Sequence, residues 1–562
     1  MRAGVPVHLP PKELAALQLL LEHAGQVVTP QQLREALWSD VHVTADSVPK
    51  CVSSLRARLE PEECIQTVYK RGYRFVAELI SEAAHGQGAK PRLAIVPFKV
   101  EFGVPEYLGT YVAEEAMNRL TEIMPGAVSV LAQDSVFTLS QRGLTALEVG
   151  VLLKADLALA GTIRALPGHY RMRVELIRVS DGTQIWVEDM LVSRTRTAGL
   201  ESELARQLIF RLSQAQGLSG VESSEEARSM LAKVYHPERP REAYELYQRA
   251  HHEWKSMQRH RMQDGLQHLM RATELDPALL PARVDLVNLC VAQELFGFMA
   301  PSVTSELVQR TAGQIPNLER TAERILPVLG WMEFHIHRDM TSALRYYAMT
   351  AHLPHDPWVT RLRVMLAMSR HRFDEGIEIL RSAIRLDPYA PWLFGRLAWA
   401  LHLNGEAAAS VDQVRENVKN FREIEGMANY GAIVLAYNGL AEQAVEMARG
   451  LSQRLPYFDA GSSVLAYALA CAGQRDEARQ ILERLQWLSR ERYVLNTFSA
   501  SAWVQLGELD SAVEVLRAAN EARCPWYFQM LGDPCLKTLE DKPDFQRMRL
   551  DVDEMEAAAE YV

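Results

Sequence analysis

Four glycines, Gly405, Gly439, Gly473 and Gly507, recur at a constant spacing of 34 residues, and no other feature restricts the folding of this chain so strongly. Seven residues before them stand Ala398, Ala432, Ala466 and Ala500, and five after them Ser410, Ala444, Ala478 and Ala512. Pro354, Pro388 and Pro456 each lie 17 residues beyond a point of the same grid, on which His337 and His371 also fall. Glycine ends a helix by entering the left-handed region without steric cost, small residues let a second helix approach, and proline closes the unit. The pattern predicts antiparallel helix pairs stacked at a fixed period from residue 225 onward.

This pattern resembles the tetratricopeptide repeat. An earlier unit ends at Glu274-Leu275-Asp276-Pro277, and its motif returns at Arg385-Leu386-Asp387-Pro388, while residues 300–325 break the period as an insertion or a degenerate repeat. By this resemblance the stack is a curved solenoid whose concave wall binds a peptide or a partner protein. Trp331, Trp358, Trp392, Trp399, Trp503 and Trp526 are expected mainly in the core between repeats, since large aromatics chiefly supply buried area. His335, His337, His352 and His355 are expected at the surface or between helices, because no carboxylate–histidine spacing on one helix supports a metal site.

A different signal stands near the N-terminus. Residues 65–75 read as a strand, a turn with Lys70 and Arg71 at its tip and Gly72 near its end, and a returning strand that carries Arg74. Residues 47–59 before it read as an amphipathic helix in which Val48, Val52, Leu55 and Leu59 share one face and Pro49, Lys50, Ser53, Ser54 and Ala57 the other. Pro49 is tolerated only in a first turn, so this helix starts near Asp46 or Ser47. Upstream, residues 12–23 carry Leu14, Leu17, Leu20 and Leu21 at helical spacing, and Thr29-Pro30-Gln31-Gln32 is a capping box opening a helix through Leu33, Leu37 and Trp38. A helix followed by a basic hairpin can enter a DNA groove with one element and grip phosphates with the other.

Several separated motifs here are similar to the OmpR/PhoB-type winged-helix domain, in family order and over about residues 1–80. They are Leu9-Pro10-Pro11-Lys12-Glu13-Leu14, Gly25-Gln26-Val27-Val28-Thr29, Leu33 with Trp38, Val48, Val52, Leu55-Arg56, Ile65-Gln66-Thr67-Val68 and Gly72-Tyr73-Arg74-Phe75. The resemblance implies that residues 48–59 are the recognition helix, with Lys50, Ser53 and Ser54 toward the major groove. It likewise implies that residues 69–74 are the wing, with Lys70, Arg71 and Arg74 toward phosphates or the minor groove. Arg56 completes the expected DNA-contacting set. Two departures stand out: only residues 2–9 remain of the family's N-terminal sheet, and Ser53 and Ser54 stand where many relatives carry cations. Few base contacts are therefore expected.

Between these regions, residues 81–91 read as a flexible linker and residues 92–215 as alternating strands and helices. Strands are expected at 93–98, 156–163, 170–179 and 183–188, a helix at 107–123, and a hairpin turn at Asp181-Gly182. Val96-Pro97-Phe98, Ala155-Asp156 before Ala160-Gly161-Thr162-Ile163, and Ser180-Asp181-Gly182 before Ile185-Trp186 make this segment resemble the TolB N-terminal-like domain. Gly86-x-Gly88 is no phosphate loop, because no Gly-Lys-Ser/Thr follows it.

The expected fold class is multidomain, α+β and all-α. Its parts are a winged helix-turn-helix at 1–80, a linker at 81–91, a small α/β domain at 92–215 and a tetratricopeptide-repeat α-solenoid at 225–545. The net charge of −10 lies mostly in the C-terminal part, and residues 1–80 are about neutral, so the cations are local and one copy should bind DNA weakly and with strong salt dependence. The six scattered cysteines form no Cys-x-x-Cys pair, and reduced, mostly buried thiols are expected. No apolar run approaches the ~20 residues that span a bilayer, and a cytoplasmic location without membrane contact is expected. No catalytic, cofactor-binding or metal site is expected, and no Walker loop supports an ATPase.

The resulting reading is a one-component transcriptional regulator, by resemblance like the ToxR/CadC/HilA group. Its partner is double-stranded DNA, bound as a dimer. A peptide, protein or small-molecule effector is expected at the repeats, and RNA polymerase is a further expected partner. The alternative is an interaction scaffold whose winged helix docks on protein.

Overall fold

The computed structural model describes residues 27–37, 47–59, 64–68, 71–75, 90–123, 128–193, 240–255, 258–321, 323–350, 356–421 and 425–559, with isolated positions between 13 and 20 and between 204 and 208. Trp38, Tyr69, Lys70, His352, Pro354, His355 and the expected linker up to residue 89 lie outside the described residues. The chain divides into two compact units, Met1–Lys90 and Pro91–Val562.

The first unit is built on a small antiparallel sheet of β1 (Val27–Val28), β2 (Ile65–Val68) and β3 (Gly72–Phe75), with β3 in the middle. Its helices are Pro30–Leu37 and Ser47–Leu59. The expected capping box forms: the Gln32 backbone N–H donates to Thr29 Oγ1 at 3.2 Å, and the Thr29 N–H to Gln32 Oε1 at 2.9 Å. Val48, Val52 and Leu55 from the second helix join Ala16, Leu20, Leu33, Leu37, Ile65 and Phe75 in one buried core.

The second unit begins with a mixed sheet. β4 (Arg92–Ile95) runs parallel to β6 (Ser129–Val130) and to β7 (Leu157–Leu166), and β5 (Lys99–Val100) also pairs with β7 in parallel. β8 (His169–Arg178) and β9 (Gln184–Ser193) continue the sheet antiparallel. The strand expected at 93–98 is shorter. β4 stops at Ile95, the Val96 N–H still donates to Leu159 O at 3.0 Å, and then Pro97 has no N–H to extend the ladder. The helix Tyr107–Ile123 forms as expected. Two further helices, Gln133–Gln141 and Ala146–Leu152, add to the expected elements, the second opened by a capping box of Thr145 and Glu148.

From Arg241 onward the unit is helical. The pairs Pro357–Ser369 with Phe373–Leu386, Pro391–Leu403 with Ala407–Asn420, Glu425–Tyr437 with Ala441–Arg454, Asp459–Cys471 with Arg475–Leu488, and Ser499–Leu506 with Leu509–Glu521 follow the 34-residue grid. Gly405, Gly439, Gly473 and Gly507 all have φ between 78° and 82°. At each turn the left-handed residue donates its N–H three residues back, and its successor donates five back. Gly405 reaches His402 O at 3.0 Å and Glu406 reaches Leu401 O at 2.9 Å, the Schellman pattern. His371 occupies the same place with φ 56°. One repeat earlier the expected position shifts. A π-helical turn at Glu333–His337 adds a residue, so Arg338 (φ 61°), not His337, takes the left-handed conformation. The break expected at 300–325 holds the helix Pro301–Ala312, the short helix Leu318–Thr321 and a 3-10 turn. Trp331, Trp399, Trp503 and Trp526 are buried, and Trp358 and Trp392 partly so.

The sheet and the helical stack share one continuous core. Polar links cross between them. The Ser135 N–H donates to Asp387 Oδ1 at 2.9 Å, its hydroxyl donates to the same oxygen, and the Tyr389 N–H donates to Ser135 Oγ at 2.8 Å. Trp392 Nε1 donates to Asp134 Oδ2 at 3.0 Å, and Tyr111 and Tyr244 share a hydrogen bond of 2.9 Å between hydroxyls. Burial, and then the neighbouring Asp134, push the Asp387 carboxyl up to about 7.

Gly473→Ala should lower the stability of the second unit by about 1 kcal/mol, because an L-residue is strained at that φ. Gly450→Ala, inside Ala441–Arg454 where a Cβ meets nothing nearer than Arg454 Nη1 at 3.5 Å, should instead raise it by about 0.5–1 kcal/mol; urea unfolding measures both. Asp387 keeps its proton in the folded state to about pH 7 but loses it near its ordinary 3.8 when unfolded. Its contribution is therefore fully present below pH 3.8 and is lost as pH rises through 7. Asp387→Asn should flatten that part of the Tm–pH profile.

Candidate nucleic-acid interface

In the first unit the helix Ser47–Leu59 turns its apolar side inward, which leaves Pro49, Lys50 and Ser53 exposed. Lys50 and Ser53, three residues apart, form a narrow polar stripe on one helical face. The wing is a tight hairpin in which Val68 pairs with Gly72, and the Arg71 N–H closes the turn onto Val68 O at 2.9 Å. Arg71 is exposed at this tip. Gly72 has φ +141°, and a Cβ there would stand 2.1 Å from the Val28 carbonyl oxygen. Only glycine therefore lets β3 lie against β1 at this point.

Three of the residues expected at DNA have internal partners. Arg56 is half-buried: its Nε and Nη2 donate to Ile65 O at 2.9 and 2.7 Å, and Nη2 also donates to Thr67 Oγ1 at 2.8 Å. Its guanidinium carbon lies 5.9 Å from the centre of the Tyr73 ring. These contacts fasten the helix to the hairpin. Ser54 Oγ donates to Glu13 Oε1 at 2.6 Å, and Arg74 Nη2 donates across the ladder to Gln66 Oε1 at 2.6 Å. Glu13 belongs to one of the family-like motifs without a role assigned there; it stands on one helical face with Ala16, Leu17 and Leu20, and that spacing is the signal for its inward position. Cys51 is half-buried, and burial, then Glu13, raise its thiol above the ordinary range, which suits a packing residue better than a redox sensor.

In the second unit, among the described residues, two openings lie along the repeats. One groove of about 1000 Å³ is lined by Leu344, Ile379 and Leu386, and another of about 790 Å³ by Val414, Phe421, Leu435 and Met447, with Arg415 and Arg454 at hand. No helix of the described residues is long and apolar enough to cross a membrane.

Residues 4–75 match the family described as "Transcriptional regulatory protein, C terminal", so this segment is an OmpR/PhoB-type DNA-binding domain. Transcriptional regulator HilA of Salmonella typhimurium (strain LT2) is 27% identical over 216 residues, which cover 38% of this chain and 38% of HilA. Transcriptional regulatory protein QseB of Escherichia coli O157:H7 is 40% identical over 72 residues, 13% of this chain and 32% of QseB. The chain thus spans well under half the length of these curated relatives. Among solved structures, the APC/C hetero-tetramer Cut9–Hcn1 is 15% identical, covers 65% of this chain and 68% of that chain, and has a TM-score of 0.39. At that score the repeat architecture rests on its own turns and spacing.

Arg56→Ala should cost the first unit about 1.5–3 kcal/mol by removing charge-assisted bonds, and should raise hydrogen exchange across residues 47–75. Lys50→Ala, at an exposed position, should change stability by no more than about 0.5 kcal/mol.

Proposed function

We propose that this chain is a one-component transcriptional regulator of the cytoplasm, a binding protein and not an enzyme. Its first unit binds promoter DNA, with the Ser47–Leu59 helix toward the major groove and the β2–β3 wing on the backbone. The observation that carries this reading is the juxtaposition of an exposed Lys50–Ser53 stripe with an exposed Arg71 at the hairpin tip, in a domain of the OmpR/PhoB type. Lys50, Ser53, Lys70 and Arg71 make the contacts. Ser54, Arg56 and Arg74 hold the helix and the wing in place, as their internal hydrogen bonds support. With so few cations per copy, two copies bind together, and sequence is read from few base contacts.

The second unit controls the first. A peptide, protein or small molecule binds along the repeats, and grooves of about 790 and 1000 Å³ have the capacity for one. RNA polymerase is met once the protein is on DNA. Because the sheet and the stack share a core, an event at the repeats is felt by the sheet.

Selection of genomic fragments by the full chain tests the DNA reading. Wild type should enrich fragments that share a repeated motif, and a Lys50, Lys70, Arg71 triple-alanine variant should lose the enrichment. Equal recovery of all fragments by both proteins would overturn it and favour a winged helix that docks on protein.

A further inference from the structure

His402, Asp533 and Cys535 meet although 131 residues separate the first two. His402 lies in the last turn of the helix Pro391–Leu403, Asp533 caps the 3-10 helix Pro534–Leu539, and Cys535 is in that helix's first turn. All three are buried. His402 Nε2 lies 3.2 Å from Asp533 Oδ1 and 4.0 Å from Cys535 Sγ, and one ligand atom from each residue falls within 4.8 Å of the other two. Donors bound to one tetrahedral zinc at ~2.0–2.3 Å stand roughly 3.3–3.7 Å apart, so little movement separates this arrangement from a chelating set.

The hydrogen bonding around the cluster is incomplete in a way that points to a cation. Asp533 Oδ1 accepts from the Cys535 backbone N–H at 2.8 Å and faces the imidazole, while the thiol donates to the Tyr467 hydroxyl at 3.2 Å. Asp533 Oδ2 is buried and has no hydrogen-bond partner among the described residues. A buried carboxylate oxygen without a donor is costly and rare. A metal ion would satisfy it. Beside the cluster lies a cavity of about 380 Å³, lined by His402 and Asp533 together with Tyr437, Gly532, Lys537 and Arg549, which gives room for a solvent ligand.

We propose that His402, Asp533 and Cys535 bind one divalent cation of the zinc class, with solvent from the cavity as fourth ligand. A thiolate, an imidazole and a carboxylate together suit zinc, whereas magnesium and calcium take oxygen donors. On binding, Cys535 releases its thiol proton to solvent and the sulfur bonds the metal; His402 Nε2, which faces Asp533 Oδ1, gives up its hydrogen, leaving the ring hydrogen on Nδ1, and bonds the metal through its lone pair, while the carboxylate binds directly. Two ligands come from the C-terminal segment and one from a repeat helix, so the ion staples that segment to the stack and makes their junction respond to metal.

Cobalt(II) titration of the full chain, previously stripped with a chelator, tests this. Wild type should bind one equivalent and show a thiolate-to-cobalt charge-transfer band. The band should vanish in Cys535→Ser and persist in Cys51→Ser, and His402→Gln should bind at least about 10-fold more weakly, with circular dichroism checking that each variant is folded. Folded wild type that takes up no cobalt, or a band unchanged in Cys535→Ser, would overturn the proposal. Should His402→Gln not fold, the cysteine pair decides.

Discussion

The left-handed residue at each turn between paired helices is the constraint on which the second unit depends. A chain leaving one helix must reverse within about three residues, and the carbonyls at that helix end must find donors. A positive φ does both, since it turns the chain and aims two successive N–H groups back at the helix, as Gly405 and Glu406 do at His402 and Leu401. Reversal alone would not pack the pair. Ala398 in one helix and Ser410 in the next are fully buried, and their counterparts through Ala500 and Ala512 repeat that close approach. Once this geometry recurs every 34 residues, each hairpin has a buried face only if the next is present, and the stack follows.

The sheet is part of that logic. In Leu386-Asp387-Pro388 the aspartate follows the end of a repeat helix, and there its carboxylate accepts from the backbone and side chain of Ser135 in the sheet region. Asp134 beside it receives Trp392. This pairs two carboxyl groups in a buried place, which raises Asp387 and ties the junction to protonation. The matching aspartate of the earlier motif, Asp276, accepts from the Ala278 N–H within its own turn.

What the sequence made legible was whatever is local or periodic. The grid, the capping box at Thr29, the start of the helix at Ser47 and the Asp181-Gly182 turn are short-range steric facts and could be read directly. The π-turn at Glu333–His337 could not, because one inserted residue leaves no mark on a pattern that still shows histidine at the expected place. Arg56 shows a different limit. A cation on a helix before a basic hairpin looks free for phosphate, and only the fold reveals that the Ile65 carbonyl and Thr67 take its donors. The meeting of His402 with Asp533 and Cys535 across 131 residues was likewise invisible to spacing.

The proposed control of DNA binding by the second unit is tested most directly by comparing the full chain with residues 1–90, cut where the compact units divide, for affinity and copies bound on one selected duplex. The account predicts that the fragment recognises the same sequence, but more weakly and without the two-copy complex. Equal affinity and equal stoichiometry would contradict it, and would leave the repeats with a task unconnected to DNA.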